Sequence, residues 1–370
     1  MSEWKKVKLG DICEITAGGD KPQVVKNYRT KECTIPVYSN GIDNEGLYGF
    51  TNKAKNSGNA ITITGRGANV GTVFYRKEPF LPIIRLLTLN PDTNFVDARY
   101  LYYLLKGKTF LSTGSAQPQI TVPNIEQYEI EYNPDIPTQR RIATILSRYD
   151  TLIENYQKQI KLLEEAAQRL YKEWFVELRF PGHENTKMVD GLPEGWERKP
   201  VDSIYSIKYG KNLSTKLISE NGEYPVYGAN GVIGYYDKAN CNEQVVLITS
   251  RGNGSGDVLM TYHKDAFITN NSFIVSPLEK YTFCQLPFTY QFLRNANFRA
   301  VRTGAAQPQL TNQSIHTVDV VLPTKGLITA YCEKVSHSNE MIIRLKDQIR
   351  LLTEARDRLL PRLMGGEMEV

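Results

Sequence analysis

The feature that most constrains the fold of this chain is an internal repeat, in which segments of the first half return in the same order in the second half. The spacing of Trp, aliphatic residues and Gly between Trp4 and Gly18 is identical to the spacing between Trp196 and Gly210. A repeat of this length predicts two copies of one folded unit rather than a single large domain. The matched segments are residues 4–18 with 196–210, 36–41 with 225–231, 63–67 with 248–252, and 113–121 with 303–311.

A heptad pattern of apolar residues follows each copy. Apolar or aromatic residues recur at alternating steps of four and three from Ile142 to Trp174, and the same rhythm runs from Ile342 to Leu363. Such a pattern predicts a coiled-coil seam, and we expect two stripes of this length to pair with each other. Arg356 interrupts the second stripe, so we expect Arg356→Leu to strengthen the pairing. The predicted helix-pairing seam consists of Ile153, Tyr156, Ile160, Leu163, Leu170, Ile342, Leu345, Ile349, Leu352 and Leu359.

The remainder of each copy is rich in short β-like segments around Gly-rich loops, with short helical patterns at residues 99–105 and 288–293. These patterns predict an α+β fold, with two similar globular domains separated by two long helices. Pro137-Thr138 offers a proline and a capping hydroxyl at the start of the first long helix. The predicted boundaries are 1–137 for the first domain, 138–177 for the first helix, 178–194 for a linker, 195–323 for the second domain and 324–366 for the second helix.

Charge and motif content argue against several classes of function. The chain carries 45 Lys and Arg against 40 Asp and Glu, and this mild excess excludes polybasic coating of nucleic acid but not binding through local patches. The sequence has no nucleoside-triphosphate loop, zinc-protease motif or nucleophile elbow, so we predict no catalytic residues. The Cys and His residues are scattered without metal-ligand spacing, so we predict no metal site and no cofactor bound by this chain.

The sequence also lacks the patterns of a membrane or secreted protein. No stretch approaches the roughly 18 apolar residues needed to span a bilayer. The lysines near the N-terminus are not followed by the apolar region of a signal peptide. We therefore expect a cytoplasmic protein without a membrane partner.

The two Gly-Arg loops have two interpretations. Gly65-Arg66-Gly67 returns in the second copy as Ser250-Arg251-Gly252. A Gly-rich hairpin loop approaches phosphate closely, and an Arg there can hold a phosphate or pair with guanine. Alternatively, the glycines serve only the turn geometry, and Arg66 and Arg251 point to solvent.

The Gln-Pro-Gln motif is equally open. Gln117-Pro118-Gln119 returns unchanged as Gln307-Pro308-Gln309. Gln amides can read adenine or contact phosphate, and a proline between them would fix their orientation. Two domains that read different bases should differ at the residues that read, so the identity of the motif favours a structural or backbone-contacting role.

Specificity is expected where the copies differ. The most divergent segments are residues 18–35, 42–60 and 76–94 in the first copy, opposite 210–224, 232–245 and 263–277 in the second. They mix basic, amide and Tyr side chains, which groove readers use and solvated loops also use. The candidate DNA-binding residues from the loops and motifs together are Arg66, Asn69, Arg85, Gln117, Gln119, Lys211, Asn212, Arg251, Asn253, Asn271, Gln307 and Gln309.

The whole chain resembles the specificity subunit of type I restriction–modification systems in its order of globular unit, heptad helix, globular unit and heptad helix. At residues 324–327 the chain lacks the Gln, comparable to Gln139, that is usual in the family, which implies a difference in a partner contact. The residues that carry the resemblance are Gly114-Ser115-Ala116-Gln117-Pro118-Gln119, Ile136-Pro137-Thr138-Gln139-Arg140-Arg141-Ile142-Ala143, Trp174-Phe175-Val176, Arg179-Phe180-Pro181-Gly182-His183-Glu184, Leu192-Pro193-Glu194-Gly195-Trp196 and Leu360-Pro361-Arg362-Leu363-Met364-Gly365-Gly366-Glu367.

The resemblance implies a non-catalytic subunit in which each globular unit is a target recognition domain for one half of a bipartite site in double-stranded DNA. It implies that the helices pair antiparallel and set the gap between the half-sites. It also implies two modification subunits that bring S-adenosylmethionine and restriction subunits that bring ATP and Mg²⁺. On the residues alone, a stand-alone DNA-modifying or DNA-cleaving enzyme and a coiled-coil scaffold without a DNA role remain alternatives.

Overall fold

The computed structural model describes residues 4–67, 69–111, 118–304, 307–368 and 370. The chain divides into two compact units, the first formed by Met1–Glu154 with Arg350–Val370 and the second by Asn155–Ile349. Each long helix contributes one part to each unit. Of the candidate residues, Gln117 lies outside the described residues.

The first unit is built on short strands, and its most buried strand is Ala60–Ile63, in which every residue is buried. The strands of this unit are accompanied by the short helices α1 (Leu9–Ile12), α2 (Ala98–Leu105) and α3 (Val122–Glu126). The strands are β1 (Lys5–Lys8), β2 (Cys13–Ala17), β3 (Ile35–Tyr38), β4 (Leu47–Thr51), β5 (Ala60–Ile63), β6 (Val73–Arg76), β7 (Leu81–Pro82), β8 (Leu87–Pro91) and β9 (Glu129–Tyr132).

The globular part of the second unit comes after the first long helix, α4 (Ile136–Tyr171), and the linker. Its short helices are α5 (Leu286–Asn295) and α6 (Asn312–His316), and the second long helix is α7 (Lys325–Met364). Its strands are β10 (Met188–Val189), β11 (Leu192–Pro193), β12 (Glu197–Pro200), β13 (Tyr205–Tyr209), β14 (Tyr224–Gly228), β15 (Gly231–Tyr236), β16 (Val246–Thr249), β17 (Val258–Met260), β18 (Phe267–Ile268), β19 (Ser272–Pro277) and β20 (Asp319–Leu322).

The two units share one sheet topology. The order β2-β8-β5-β6 in the first returns as β13-β19-β16-β17 in the second, and β4-β3-β7 returns as β15-β14-β18. Both copies pair one long antiparallel hairpin with one short parallel strand, and both have a register shift at the same place, between Val37 and Tyr38 and between Val226 and Tyr227. A bulge repeated in both copies shows that the repeat extends to the backbone path. The predicted α+β fold with two similar domains is confirmed.

The repeated glycine at the end of the first pattern has a steric cause in each unit. A Cβ atom on Gly18 would lie 2.8 Å from the backbone nitrogen of Ile83, and one on Gly210 would lie 2.3 Å from the carbonyl oxygen of Thr269. Real Cβ atoms do not approach backbone so closely, so only glycine lets β2 and β13 turn past the neighbouring loop.

The start of α4 differs from the predicted cap. The helix begins at Ile136, and the carboxylate of Asp135 accepts from the backbone N–H of Thr138 at 2.9 Å. Asp135 therefore caps the helix in place of the predicted hydroxyl of Thr138, because a carboxylate one residue before the helix reaches the free N–H groups of its first turn. After Tyr171 the helix continues as a π-helical turn, Lys172–Val176, before the linker.

Gln139 on the first turn of α4 is a structural residue. Its side chain is fully buried and accepts from the backbone N–H of Asp97 at 2.7 Å, while its amide donates to the carbonyl oxygens of Asn133 at 2.7 Å and Phe95 at 3.1 Å. The side chain of Gln139 is therefore used inside its own unit, and the implied difference in a partner contact at residues 324–327 stays a prediction.

The long helices pack against each other within each unit. In the second unit Ile160 packs with Ile342 and Leu345, and the hydroxyl of Tyr331 donates to the carbonyl of Ala167 at 3.0 Å. Moving forward along α4 thus means moving backward along α7, which is antiparallel packing. In the first unit Ile142, Ala143 and Leu146 share a hydrophobic cluster with Leu363 and Leu359. All ten residues of the predicted seam are buried or half-buried: Ile153, Tyr156, Ile160, Leu163, Leu170, Ile342, Leu345, Ile349, Leu352 and Leu359.

Arg356 is not a gap in the apolar seam. Its guanidinium Nη1 lies 2.6 Å from Asp150 Oδ1, and its Nη2 lies 2.8 Å from Asp357 Oδ1. The expectation that leucine at position 356 strengthens pairing is therefore reversed, because the substitution would leave the carboxylate of Asp150 without its cation. No helix within the described ranges is long and apolar enough to cross a membrane.

Candidate nucleic-acid interface

The two Gly-Arg loops are the hairpin turns between β5 and β6 and between β16 and β17. In each loop the glycine after the arginine has a positive φ, +92° at Gly67 and +84° at Gly252. This conformation favours glycine, so these two glycines serve the geometry of the turn, and the phosphate-binding role of the arginines stays a prediction. Arg66 and Arg251 are both exposed. The turn therefore fixes the backbone and presents an arginine to solvent at the same place in both units.

The second half of the Gln-Pro-Gln motif is held against these loops by backbone contacts. Arg66 forms an isolated antiparallel bridge with Gln119, and Arg251 forms the same bridge with Gln309. In the second unit the backbone N–H of Gly252 also donates to the carbonyl of Pro308 at 3.0 Å. The repetition of the bridge in both units favours the structural interpretation of the motif, in which it holds the Gly-Arg loop by its backbone.

A third segment lies beside each Gly-Arg loop. It is the turn that enters β8 in the first unit and β19 in the second. In the first unit the backbone N–H of Arg85 donates to Gly18 at 3.0 Å, and the carbonyl of Arg85 lies beside Gly65. In the second unit the carbonyl of Asn271 accepts from the backbone N–H of Ser250 at 2.8 Å. Arg85 and Asn271 therefore occupy equivalent positions next to the Gly-Arg loop.

Lys211 lies beside the turn that enters β19 in the second unit. Its backbone forms a parallel bridge with Thr269, and its carbonyl accepts from the N–H of Asn270 at 3.0 Å. The next residue, Asn212, is exposed. The chain thus brings Lys211 to the turn that carries Asn271, although the two are 60 positions apart in sequence.

The structure gathers most of the candidates into one cluster per unit, which we call the loop clusters. Asn69 and Asn253 lie in the same glycine turns as the arginines, and their carbonyls accept from Thr72 at 2.9 Å and from Arg302 at 3.3 Å. Gln307 is exposed beside Pro308. The first loop cluster consists of Arg66, Asn69, Arg85 and Gln119, and the second consists of Lys211, Asn212, Arg251, Asn253, Asn271, Gln307 and Gln309.

The cations of the loop clusters are not neutralised within the described part of the chain. Arg66, Arg85, Lys211 and Arg251 are exposed, and none of them is within ion-pair distance of a carboxylate there. By contrast, Arg299 near the second cluster is paired with Asp257 at 2.5 Å. Free cations and amides at one end of each unit are suited to bind phosphates and base edges of a nucleic acid.

Asn40 supports the first loop cluster and was not among the candidates from the sequence. Its amide donates to the carbonyl of Ile84 at 2.5 Å and its side-chain oxygen accepts from the N–H of Gly65 at 2.7 Å. It therefore ties the turn carrying Arg85 to the loop carrying Arg66. Its repetition as Asn230, followed by glycine in both copies, was the available signal.

The buried nucleophiles lie away from the loop clusters. All five cysteines are buried free thiols, and burial raises the pKa of Cys13 to about 12 and that of Cys332 to about 11. Such thiols stay neutral at neutral pH. The described residues contain no group of three His, Cys, Asp or Glu side chains placed to hold a metal ion.

The chain therefore contains two copies of one fold, and each copy has exposed cations and amides at equivalent loops. The chain matches the family described as type I restriction modification DNA specificity domain over residues 1–165 and 193–349, and it belongs to that family. The resemblance found in the sequence is thereby confirmed. The family is one of DNA specificity, so the assignment as a recognition subunit rather than a catalytic one is confirmed with it.

Relatives and a solved structure agree with this membership. The chain is similar to the type I restriction enzyme MjaIX specificity subunit of Methanocaldococcus jannaschii, with 26% identity over 414 residues that cover 100% of this chain and 94% of the relative. It is 29% identical to the MjaVIII specificity subunit of the same organism over 231 residues, which cover 60% of this chain and 53% of that relative. The crystal structure of a type I restriction–modification S subunit from M. genitalium has the same fold, with a TM-score of 0.62, 19% identity and coverage of 98% of this chain and 96% of that one.

Proposed function

We propose that each unit reads one half of a bipartite site in double-stranded DNA and that the chain acts as the specificity subunit of a type I restriction–modification complex. The observation that carries the proposal is the repeat itself, in which one topology and one loop geometry occur twice while the surrounding loops differ. Two domains with the same fold but different loops are suited to bind two half-sites of different sequence.

The division between positioning and reading follows from which parts are repeated. The Gly-Arg loops occur in both units with the same backbone bonds, so Arg66 and Arg251 are suited to phosphate contacts, which position a protein on DNA without carrying sequence information. Arg85 and Asn271 stand at equivalent positions with different chemistry. Arg pairs with guanine and Asn with adenine, so these two residues are suited to base reading.

The long helices are proposed to set the gap between the half-sites and to dock two modification subunits. Their outer faces carry apolar side chains that pack against no core, with Leu152 41%, Leu162 64% and Leu351 54% exposed. Exposed leucines on charged helices are suited to protein partners. The modification subunits would bring S-adenosylmethionine, and restriction subunits would bring ATP and Mg²⁺. We propose a cytoplasmic location for the complex.

A footprint of DNA bound by the chain with its modification subunits tests this function. We expect two protected segments separated by an unprotected gap. Arg66→Ala and Arg251→Ala should each weaken binding and lower the slope of log affinity against log salt by about 1, because each removes one phosphate contact.

Arg350→Ala is the matched control, because Arg350 is an exposed helix residue already paired with Glu354 at 2.9 Å. It should leave the salt slope unchanged. A single continuous footprint, or no footprint with the complete complex, would overturn the two-reader function. DNA cleavage or methylation by the purified chain without partners would instead favour a stand-alone enzyme.

A further inference from the structure

The hairpin loop between β3 and β4 distinguishes the first unit from the second. Tyr38 pairs with Leu47, nine positions later, whereas the equivalent Tyr227 pairs with Val232, five positions later. The first loop is therefore four residues longer, and the extra length falls at residues 42–45. These residues are exposed, including Ile42 at 45%.

The backbone of this extension is held in an unusual conformation. Asn44 and Glu45 have φ values of +48° and +56°, and Gly46 follows at +78°. Asn tolerates left-handed backbone better than most residues, but Glu does not, so this conformation at Glu45 persists only where the surroundings hold it. Some contact must therefore fix the extension from below.

That contact is the side chain of Arg76, at the end of β6. It is only 2% exposed, and its Nη2 donates to the carbonyl oxygen of Glu45 at 2.6 Å while its Nη1 lies 3.1 Å from Glu45 Oε2. Its Nε donates to Thr62 Oγ1 at 3.0 Å, and its guanidinium lies 3.7 Å from the ring centroid of Tyr38. One buried guanidinium thus binds both the backbone and the side chain of Glu45 and is itself fixed by the sheet.

The second unit lacks both the extension and its anchor. Ala60 pairs with Arg76 in the first unit, and the residue equivalent to Arg76 is Thr261, whose hydroxyl accepts from the N–H of Val245 at 2.8 Å. The hydroxyl of Tyr227, equivalent to Tyr38, accepts from the N–H of Tyr262 at 3.1 Å. In the second sheet, hydroxyl groups that are hydrogen-bonded within the unit therefore take the place of the Arg76 guanidinium. The shorter hairpin there has no extension that would need an anchor.

The extension lies beside the first loop cluster. It starts just after Asn40, whose side chain ties Gly65 to Ile84 and so connects the turns that carry Arg66 and Arg85. The N–H of Ser39 donates to the carbonyl of Gly46 at 2.8 Å and closes the loop on the other side. The position of residues 42–45 is thus fixed relative to the cations of the cluster.

The chemistry of the extension suits base edges rather than phosphates. Asp43 and Glu45 are acidic, so phosphates would repel the loop, and Arg76 already neutralises Glu45. A carboxylate can accept from the exocyclic amine of cytosine, and an Asn amide can pair with adenine. Asp43 and Asn44 at the exposed turn are the side chains placed to do so.

We infer that Arg76 is a positioning residue for DNA specificity, which holds residues 42–45 so that Asp43 and Asn44 contact base edges of the half-site read by the first unit. This inference rests on the proposed function of the chain as a reader of a bipartite site. The loop of residues 42–45 and its anchor Arg76 belong to the first unit alone.

The test uses the chain assembled with its modification subunits and measures methylation rates on DNA carrying each single-base change in either half-site. We expect Arg76→Met to lower discrimination at one or two positions of one half-site by at least about tenfold, the order of a lost base contact. Discrimination at the other half-site should not change. The half-site at which Arg251→Ala weakens protection in the footprint is the one read by the second unit.

Two further variants separate positioning from folding. Asp43→Ala with Asn44→Ala changes only exposed side chains and should reduce discrimination at the same positions as Arg76→Met. Lys77→Met is the matched control, because it removes the cation of the exposed residue next to Arg76. It should leave discrimination at both half-sites unchanged.

The possible outcomes are distinct. Unchanged discrimination in the Asp43/Asn44 double variant, or equal loss at both half-sites in Arg76→Met, would overturn the inference. Absence of two separable half-sites for the wild-type complex would instead overturn the proposed function, before any variant is compared.

Discussion

Arg356 on α7 donates from Nη1 to Oδ1 of Asp150 on α4 at a distance of 2.6 Å, with the two side chains 13% and 21% exposed. The other carboxylate oxygen of Asp150 accepts from the hydroxyl of Tyr103 on α2. The pair therefore joins both long helices and the globular part of the first unit in one polar network, at a position where the heptad pattern alone suggests a defect.

Replacement of this arginine should destabilise the protein. We expect Arg356→Leu to lower the free energy of unfolding by about 1–3 kcal/mol, between the values for exposed and fully buried pairs, because Asp150 would keep its charge without a cation. Thermal or denaturant unfolding of the variant and the wild type measures this difference in free energy. Arg350→Leu, which breaks the exposed pair with Glu354, should cost less than about 0.5 kcal/mol. A higher melting temperature for Arg356→Leu would show that apolar packing outweighs the pair.

Gln139 should matter for stability. We expect Gln139→Leu to lower the free energy of unfolding by about 2–4 kcal/mol, since it leaves the N–H of Asp97 and the carbonyls of Asn133 and Phe95 without this partner. Gln127→Leu is the control, because Gln127 is exposed and its side-chain oxygen accepts from the exposed ammonium group of Lys8 at 2.8 Å. Normal stability of Gln139→Leu would contradict this structural role of the side chain.

The paired glycines at the end of β2 offer a sharp steric comparison. We expect Gly18→Ala to cost about 1–3 kcal/mol, because its Cβ would meet the backbone of Ile83 at 2.8 Å, whereas a Cβ on Gly19 would meet nothing within 4 Å. Gly19→Ala should therefore change stability by less than about 0.5 kcal/mol. Equal unfolding midpoints for the two variants would contradict the close approach.

The buried thiols should be unreactive until the protein unfolds. Burial raises the pKa of Cys13 and of Cys284 from 9.0 to about 12, so both remain protonated at pH 8. We expect iodoacetamide to leave them unmodified at pH 8 and to label them in denaturant, as read by mass spectrometry. Native labelling would show that these sites open.

The same shifts give a direction for the dependence of stability on pH. Because the folded pKa is higher than the unfolded one, the contribution of each thiol is fully present below about pH 9 and is lost as the pH rises toward 12. Cys13→Ala should reduce the loss of stability in this alkaline range. An unchanged slope would mean that other groups, such as the buried tyrosines, dominate it.

Much of the fold follows from local patterns in the sequence. The repeat predicted two equal units, and the shared bulge beside Tyr38 and Tyr227 shows how far that equality extends. The heptads predicted two long helices, because periodic apolar side chains can be buried only along one face. The family followed from the same motifs.

The candidate site could be predicted only in part. Arg66 and Gln119 were both proposed, but their backbone bridge joins residues 53 positions apart and leaves no local pattern. That their side chains bind DNA stays a prediction. Asn40 and Arg76 were missed, because each acts through contacts across different strands.

By itself, then, the sequence determined the two-copy α+β architecture and the paired helices, since these depend on periodicities that every residue in a segment shares. The tertiary structure alone decided the roles of single polar residues. Arg356 became an ion-pair partner, Gln139 a buried support and Arg76 an anchor beneath a loop. The physical reason is that the free energy of a polar side chain depends on the few atoms within hydrogen-bond distance, and those atoms are brought there by distant parts of the chain.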